Sequence, residues 1–253
     1  LAPTTVTRLL LLSNSTNPGQ PYLAWPRTLI AEFFGTAVRR VLFVPFAGAR
    51  MPWAEYAGSV RTAVGELGYG LDSVHEAADA VAAVHAAEAI VIGGGNTFHL
   101  LDQLCRTGLL GPIRERVRAG APFLGWSAGA NVACPTICTT NDMPIVAPPG
   151  FGALDLVPFQ INPHFTDAAI PNHGGETRRQ RIEEYLVLNP DVPVVGLREG
   201  SGLRLEDRRL TLVGDAPATV FSGIGADTDY SPGATLSFLL RPSSPTGLTA
   251  ETG

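Results

Sequence analysis

Short apolar segments alternate with helical patterns along most of this chain, and this alternation constrains the fold more than any other sequence feature. Residues 8–12, 41–45 and 89–92 are predicted strands that are apolar nearly throughout, and helical patterns separate them. Strands without polar alternation are buried on both faces, as in a parallel sheet covered by helices. The predicted fold class is therefore α/β, with one parallel-rich sheet and helices on both of its faces.

The remaining pattern extends this fold to most of the 253 residues. Residues 1–242 are assigned to one domain, and the polar residues 243–253 are expected to form a disordered tail. Residues 134–152 are rich in Pro and Thr and are predicted to be a long loop, a kind of segment that is often functional. The other predicted elements are helices at 22–34, 53–67, 77–87, 97–110, 113–119 and 176–187, strands at 71–74, 123–124, 157–161, 192–197 and 219–221, and a hairpin at 203–213 that turns near Asp207.

A serine lies between two glycines where the predicted strand at 123–124 meets a helix, in the sequence Gly125-Trp126-Ser127-Ala128-Gly129. Such a strand–turn–helix is the sequence form of a nucleophile elbow, which raises the serine oxygen above the sheet edge. The backbone N–H groups at the start of the following helix can stabilise an oxyanion there. A plain tight turn in a glycine-rich chain is the alternative interpretation.

Charge and composition exclude several function classes. The net charge of −5 argues against a nucleic-acid partner. All 18 basic residues are arginine, which removes Walker-type nucleotide binding, pyridoxal chemistry and Ser–Lys dyads. Three cysteines favour a reducing, cytoplasmic location over a disulfide framework, and Cys134 and Cys138 lack the neighbours that a metal site needs. Without a run of about 18 apolar residues, no membrane span is expected.

A serine nucleophile needs a base and an acid that orients this base. Among the five histidines, His164 is favoured because it follows a predicted strand, which would place it on the same sheet edge as Ser127. A histidine with a purely structural role in the loop remains the alternative. Glu199, at the end of another predicted strand, and Asp142, in the long loop, compete for the role of the acid.

Two further segments could complete a site. The glycine turn at 93–96 lacks dinucleotide-binding spacing but could bring a second N–H donor beside Ser127, the first being that of Ala128. Arg178, Arg179 and Arg181 open a predicted helix. They form either a solvated face paired with glutamates or a site in which one arginine turns inward to bind a carboxylate.

Long segments of the sequence, spanning about residues 8 to 222, resemble peptidase family S51, in particular its α-aspartyl dipeptidases. The matching segments are Leu11-Leu12-Ser13-Asn14-Ser15-Thr16, Val44-Pro45-Phe46-Ala47-Gly48, Gly93-Gly94-Gly95-Asn96-Thr97-Phe98, Gly125-Trp126-Ser127-Ala128-Gly129-Ala130-Asn131, Thr139-Thr140-Asn141-Asp142-Met143-Pro144-Ile145-Val146, Gln160-Ile161-Asn162-Pro163-His164-Phe165 and Gly175-Glu176-Thr177-Arg178.

The resemblance implies a flavodoxin-like topology similar to that of class I glutamine amidotransferases, and a serine peptidase that cleaves Asp-Xaa dipeptides through an acyl-enzyme without a metal or cofactor. The site residues that it implies are Ser127 as nucleophile, His164 as base, Glu199 as triad acid with Asp142 as the fallback, Gly95 and Ala128 as oxyanion donors, Arg178 as the ligand of the substrate's aspartate carboxylate, and Asn96 and Asp142 on the same pocket.

Two other functions remain open. One is a cyanophycinase-like enzyme of the same family that acts on β-aspartyl-arginine linkages; the other is a non-catalytic, amidotransferase-like binding module with an idle serine. The expected partner is a small peptide, with neither nucleic acid nor membrane, and a homodimer is left open.

Overall fold

Two β-sheets organise the protein, whose computed structural model describes residues 7–168 and 174–241. The predicted tail at 243–253 lies outside this part of the chain, and the assignment of residues 1–242 to one domain stays a prediction. The described strands are Leu9–Leu12 (β1), Arg40–Val44 (β2), Gly70–Ser73 (β3), Ala89–Ile92 (β4), Phe123–Trp126 (β5), Gln160–Asn162 (β6), Val194–Leu197 (β7), Ser201–Glu206 (β8), Arg209–Gly214 (β9), Ala218–Phe221 (β10) and Thr228–Tyr230 (β11). The described helices are Arg27–Phe34 (α1), Trp53–Gly65 (α2), Ala80–Ala86 (α3), Thr97–Arg106 (α4), Leu110–Arg118 (α5), Ala128–Asn131 (α6) and Arg178–Leu188 (α7).

The larger sheet has seven strands in the order β3-β2-β4-β5-β1-β8-β9. The first five are parallel to one another, whereas β8 pairs antiparallel with β1 and with β9. Strands β1, β4 and β5 are buried along their whole length. The predicted α/β fold class with a parallel-rich sheet is confirmed.

Side chains of the central strands supply both faces of the core in turn. Leu9 and Leu11 lie in one apolar cluster with residues of α4 and α5, whereas Leu10 and Leu12 lie in a second cluster with residues of α1 and α2. Because successive side chains of a strand point to opposite faces, an all-leucine strand must be covered on both sides. The predicted helical layers on both faces are present.

A second sheet of four strands, in the order β11-β10-β7-β6, was not predicted. The predicted strands at 157–161 and 192–197 belong to it as β6 and β7, so the expectation that His164 and Ser127 share one sheet edge is wrong. His164 follows β6, whereas Ser127 follows β5 of the larger sheet. An apolar run indicates burial but does not identify the strand with which it pairs.

Several element boundaries also differ from the prediction. The helix expected at 22–34 begins only at Arg27, since Pro26 immediately precedes it and residues 22–26 form turns. The expected hairpin is present, and its turn residues Asp207 and Arg208 both have positive φ, as a two-residue hairpin turn of the favoured type requires. Strand β11 was missed because it has only three residues and none of them is buried, so it has no apolar pattern.

Candidate active site

Ser127 lies on a sharp turn between β5 and α6, with φ 53° and ψ −115°. A Cβ at Gly125 would lie 2.4 Å from the carbonyl oxygen of Gly129, and one at Gly129 would lie 2.1 Å from the carbonyl oxygen of Ile92. Both positions therefore require glycine. A non-glycine residue at positive φ costs of order 1–3 kcal/mol. Ser127 is such a residue, and it carries the hydroxyl that the sequence motif predicted to lie above the sheet edge.

Ser127, His164 and Glu199 form a continuous hydrogen-bonded chain. The Ser127 hydroxyl lies 2.9 Å from Nε2 of His164, and Nδ1 of His164 lies 2.8 Å from Oε1 of Glu199. With Nδ1–H donating to the carboxylate, Nε2 is free to accept the serine proton. This is the geometry by which a base activates a serine and an acid orients the base.

The backbone of His164 is also held in a left-handed conformation, with φ 54°. Its N–H donates to Oγ of Ser13 at 2.9 Å, and the Ser13 hydroxyl donates to the carbonyl oxygen of Leu197 at 2.8 Å. Ser13 follows β1 and is fully buried. Its hydroxyl therefore joins the turn after β6 to the end of β7.

Asn14, the next residue, contacts the segment that carries Glu199. Its side-chain oxygen accepts from the N–H of Gly200 at 2.9 Å, and its amide nitrogen donates to the carbonyl oxygen of Thr16 and to Oδ1 of Asn17. Glu199 lies in the short connection between β7 of the second sheet and β8 of the larger sheet. The end of β1 thus contacts the backbone of both His164 and the Glu199 segment.

Two backbone amides lie beside the serine. Ala128 opens α6, so its N–H has no intrahelical acceptor. Gly95 has φ 140°, and a Cβ there would lie 2.2 Å from the carbonyl oxygen of Ala47, so this turn also requires glycine. Both Gly95 and Ser127 line a cavity of about 390 Å³ that contains the side chains of His164 and Glu199. Gly95 thus lies on the wall of the cavity that holds Ser127, Ala128 is the next residue after Ser127, and their role as oxyanion donors stays a prediction.

The long loop after α6 is tied to the strand that carries His164. The Thr139 hydroxyl donates to the carbonyl oxygen of Ile161 at 2.8 Å, and Asn141 donates to that of Pro163 at 2.7 Å. Asn162 in turn donates to the carbonyl oxygen of Thr139 at 2.8 Å. The polar residues that made this segment look like a loop are used to anchor it.

Asp142 lines the same cavity of about 390 Å³, called the triad cavity below because Ser127, His164 and Glu199 line it. The carboxylate of Asp142 forms no hydrogen bond with His164. Its Oδ2 accepts from the N–H and hydroxyl of Thr97, at 2.7 and 2.6 Å, and from the hydroxyl of Thr140 at 3.2 Å. The geometry therefore favours Glu199 over Asp142 as the partner of the imidazole.

Asn96 lies on a neighbouring cavity and not on the triad cavity where it was expected. Its side-chain oxygen caps α4 by accepting from the N–H of His99 at 3.0 Å, and its amide donates to the carbonyl oxygen of Met143 at 2.8 Å. Both ends of the amide are engaged in holding the start of α4 against the loop. Asn96, which the resemblance implied to be a pocket residue, thus lines the neighbouring cavity and also caps α4.

Arg178 differs from the other arginines at the start of α7. Arg179 pairs with Asp167 and Asp227, and Arg181 lies 3.8 Å from Glu176. Arg178 has a buried Nη1 without a hydrogen-bond partner within the described ranges. Burial lowers the pKa of Arg178 below its ordinary value, while the nearby Glu199 carboxylate acts in the opposite direction. A half-buried cation of this kind is suited to binding an anion.

The described histidines other than His164 have structural or exposed positions. Nδ1 of His75 lies 2.6 Å from the Ser73 hydroxyl, and Nδ1 of His99 lies 2.6 Å from the carbonyl oxygen of Phe46. His85 is exposed on α3, and His173 lies outside the described residues.

Sequence reasoning missed the roles of Ser13, Asn14 and Asn141, although all three lie in segments that carried the family resemblance. Ser13 and Asn14 come directly after a fully apolar strand. The rule that sites form at the carboxyl ends of parallel strands could have singled them out.

Within the described ranges, no group of three or more His, Cys, Asp or Glu side chains is arranged to hold a metal ion. None of the helices described there is long and apolar enough to cross a membrane.

Known proteins share both the sequence and the fold. A protein named peptidase E from Nostoc sp. is 50% identical over 237 residues, which cover 94% of this chain and 98% of that protein. Another peptidase E, from Salmonella newport, is 50% identical over 213 residues, covering 84% of this chain and 93% of the relative. The crystal structure of a peptidase from an acI-B1 actinobacterium matches with a TM-score of 0.68 at 19% identity, over 93% of this chain and 98% of the other.

A comparison with sequence models of whole families gives the same result as these individual relatives. The sequence model described as Peptidase family S51 aligns with residues 9–213, which include β1 with Ser13, the serine elbow, His164 and Glu199. Because the match spans most of the chain and the identity to individual members reaches 50%, this protein belongs to peptidase family S51.

Proposed function

We propose that this protein is a serine dipeptidase that hydrolyses dipeptides with an N-terminal aspartate. The observation that carries the proposal is the hydrogen-bonded chain from Ser127 through His164 to Glu199, with separations of 2.9 and 2.8 Å. Membership of family S51 and the name of the relatives at 50% identity support the same activity.

In the proposed first step, Oγ of Ser127 attacks the carbonyl carbon of the aspartyl residue while its proton passes to Nε2 of His164. The negative charge that develops on the carbonyl oxygen is stabilised by the N–H groups of Gly95 and Ala128. The proton on His164 then moves to the leaving nitrogen, the C–N bond breaks and an aspartyl ester of Ser127 remains.

In the second step, water replaces the leaving amine. His164 takes a proton from this water, the hydroxide oxygen attacks the ester carbonyl, and the returning proton restores the Ser127 hydroxyl as aspartate leaves. Glu199 holds the imidazole in the required tautomer and stabilises its charged form in both steps.

Arg178 is the proposed ligand of the substrate's side-chain carboxylate. Support comes from its buried Nη1, which has no hydrogen-bond partner among the described residues. A site that binds one charged group rejects an analogue without it, because the buried cation is then left unpaired. Asp142, on the wall of the triad cavity, is the proposed acceptor for the free α-amino group.

A panel of dipeptides tests the proposal. We expect Asp-Leu to be cleaved, Asn-Leu to be slower by roughly 10³-fold or more, and Ser127→Ala to abolish turnover while the protein remains folded. Arg178→Gln is expected to remove the preference for Asp over Asn. The matched control Arg181→Gln, at an exposed position on the same helix, is expected to retain it.

Two additions to this panel, the dipeptide β-Asp-Arg and a serine-directed covalent probe, separate the alternatives. Turnover of β-Asp-Arg in place of Asp-Leu would indicate the cyanophycinase-like activity instead. Absence of labelling of Ser127 by a serine-directed covalent probe, together with no turnover of any dipeptide, would indicate a binding module. The proposed location is the cytoplasm, on the basis of the sparse cysteines Cys105, Cys134 and Cys138, which are all free.

A further inference from the structure

A second cavity of about 640 Å³ adjoins the triad cavity and has no role in the steps above. The two cavities share four lining residues, which form the boundary between them: Tyr22, Tyr56, Gly94 and Gly95. A substrate whose carbonyl carbon lies at the Ser127 hydroxyl can therefore extend past Gly95 into the second cavity.

The walls of the second cavity are mostly apolar. Ala47 and Gly48 form the side next to Gly95, and the side chains of Met51 and Ile145 stand at its border. Met51 is 40% exposed and Ile145 is 58% exposed, so both present apolar surface at the mouth of this cavity. Exposed apolar surface that borders a concave site is typical of a ligand-binding surface.

One cation lines this apolar cavity. Arg50 is exposed and, within the described part of the chain, forms neither an ion pair nor a hydrogen bond. Other exposed arginines of the larger sheet and its helices, such as Arg40 and Arg61, are paired with carboxylates at 2.8 and 3.0 Å. Arg50 is thus available to an anion from outside the chain.

An apolar cavity with one unpaired arginine matches the chemistry of one particular half of a dipeptide. The second residue of Asp-Leu carries an apolar side chain and a free α-carboxylate on the same carbon atom. The aspartyl half needs a cationic partner for its side chain instead, and the arginine proposed for it, Arg178, lies near Glu199 and does not line the second cavity.

We infer that this second cavity binds the leaving residue of the substrate, with an apolar side chain against Met51 and Ile145 and the terminal carboxylate at Arg50. The inference rests on the proposed dipeptidase activity and adds a preference at the second position. It also provides a reason for cleaving dipeptides, because a longer peptide would carry its carboxylate beyond Arg50.

Substrates that share the aspartyl half test this inference. We expect kcat/KM for Asp-Leu and Asp-Phe to exceed that for Asp-Ala by at least about tenfold, since each buried methylene contributes to discrimination. Converting Asp-Leu to its C-terminal amide is expected to lower kcat/KM by about tenfold or more, since only the carboxylate is lost.

Three variants test which residues bind the carboxylate and the side chain of the leaving residue. Arg50→Gln is expected to lower kcat/KM for Asp-Leu to the value of its amide and to leave the amide unchanged. The matched control Arg39→Gln removes a highly exposed arginine at the opposite end of β2 and is expected to behave as the wild type. Ser59→Phe, at an exposed position on the cavity wall, is expected to reverse the preference of Asp-Leu over Asp-Ala.

The outcomes separate the inference from the proposed function. If the wild type cleaves no Asp-Xaa dipeptide, the proposed function fails. If it cleaves Asp-Leu, Asp-Ala and the amide at equal rates, or if Arg50→Gln lowers the acid and the amide alike, the dipeptidase assignment survives and the inference about the second cavity is overturned.

Discussion

Ser13→Ala offers a sharp test of how the fold positions the proposed base. Ser13 is fully buried, and its hydroxyl accepts from the N–H of His164 and donates to the carbonyl oxygen of Leu197. The Leu197 oxygen keeps a second donor, the N–H of Phe165 at 2.8 Å. The substitution therefore leaves one new unsatisfied group, the N–H of His164.

The expected fall in kcat follows from the free energy of leaving the N–H of His164 without an acceptor. Leaving a buried donor without its partner costs about 1–3 kcal/mol. His164 also has φ 54°, a conformation that a non-glycine residue leaves readily when its support is lost. If the whole cost appears as a smaller population of the competent backbone, kcat falls by about 5- to 150-fold. KM is expected to stay near the wild-type value, because Ser13 does not line the triad cavity.

The assay is steady-state hydrolysis of Asp-Leu, with urea unfolding measured on the same samples. The matched control is Ser73→Ala, which removes another buried hydroxyl, hydrogen-bonded at 2.6 Å to His75, from β3 at the far edge of the larger sheet. We expect both variants to lose stability and only Ser13→Ala to lose kcat. Wild-type kcat in Ser13→Ala, or an equal loss in Ser73→Ala, would refute the positioning role.

Two further predictions concern carboxylates. Glu199→Gln is expected to lower kcat by at least about 100-fold with little change in KM, whereas Asp142→Asn should chiefly raise KM; steady-state kinetics showing the reverse would exchange their roles. Burial acts to raise the pKa of Asp167, but hydrogen bonds from Arg179 and Arg198 outweigh it and hold the pKa below its ordinary value. This stabilisation is present above the unfolded pKa of about 3.9 and is lost as pH falls through the lower folded pKa. Thermal unfolding of Asp167→Asn should therefore depend less on pH below about 4 than that of the wild type, and parallel curves would contradict the assignment.

Local features of the sequence were sufficient to predict the main sheet and the serine turn. An all-leucine segment such as Leu9–Leu12 can be stable only when it is covered on both faces, so its burial follows from its composition. Gly125 and Gly129 flank Ser127 and mark the turn within five residues of the sequence. The reason Gly129 must be glycine is tertiary, however, since the oxygen that a Cβ there would meet belongs to Ile92 of β4.

Tertiary structure alone decided which distant residues meet. It divided the strands between two sheets, made Asn96 a helix cap, and placed Glu199 rather than Asp142 against His164. It also brought the Ser13 hydroxyl to the N–H of His164, 151 positions away in sequence. The residues next to a hydroxyl or carboxylate in sequence do not indicate its hydrogen-bond partner. That partner depends on which strand ends lie together, and packing of the whole core determines this.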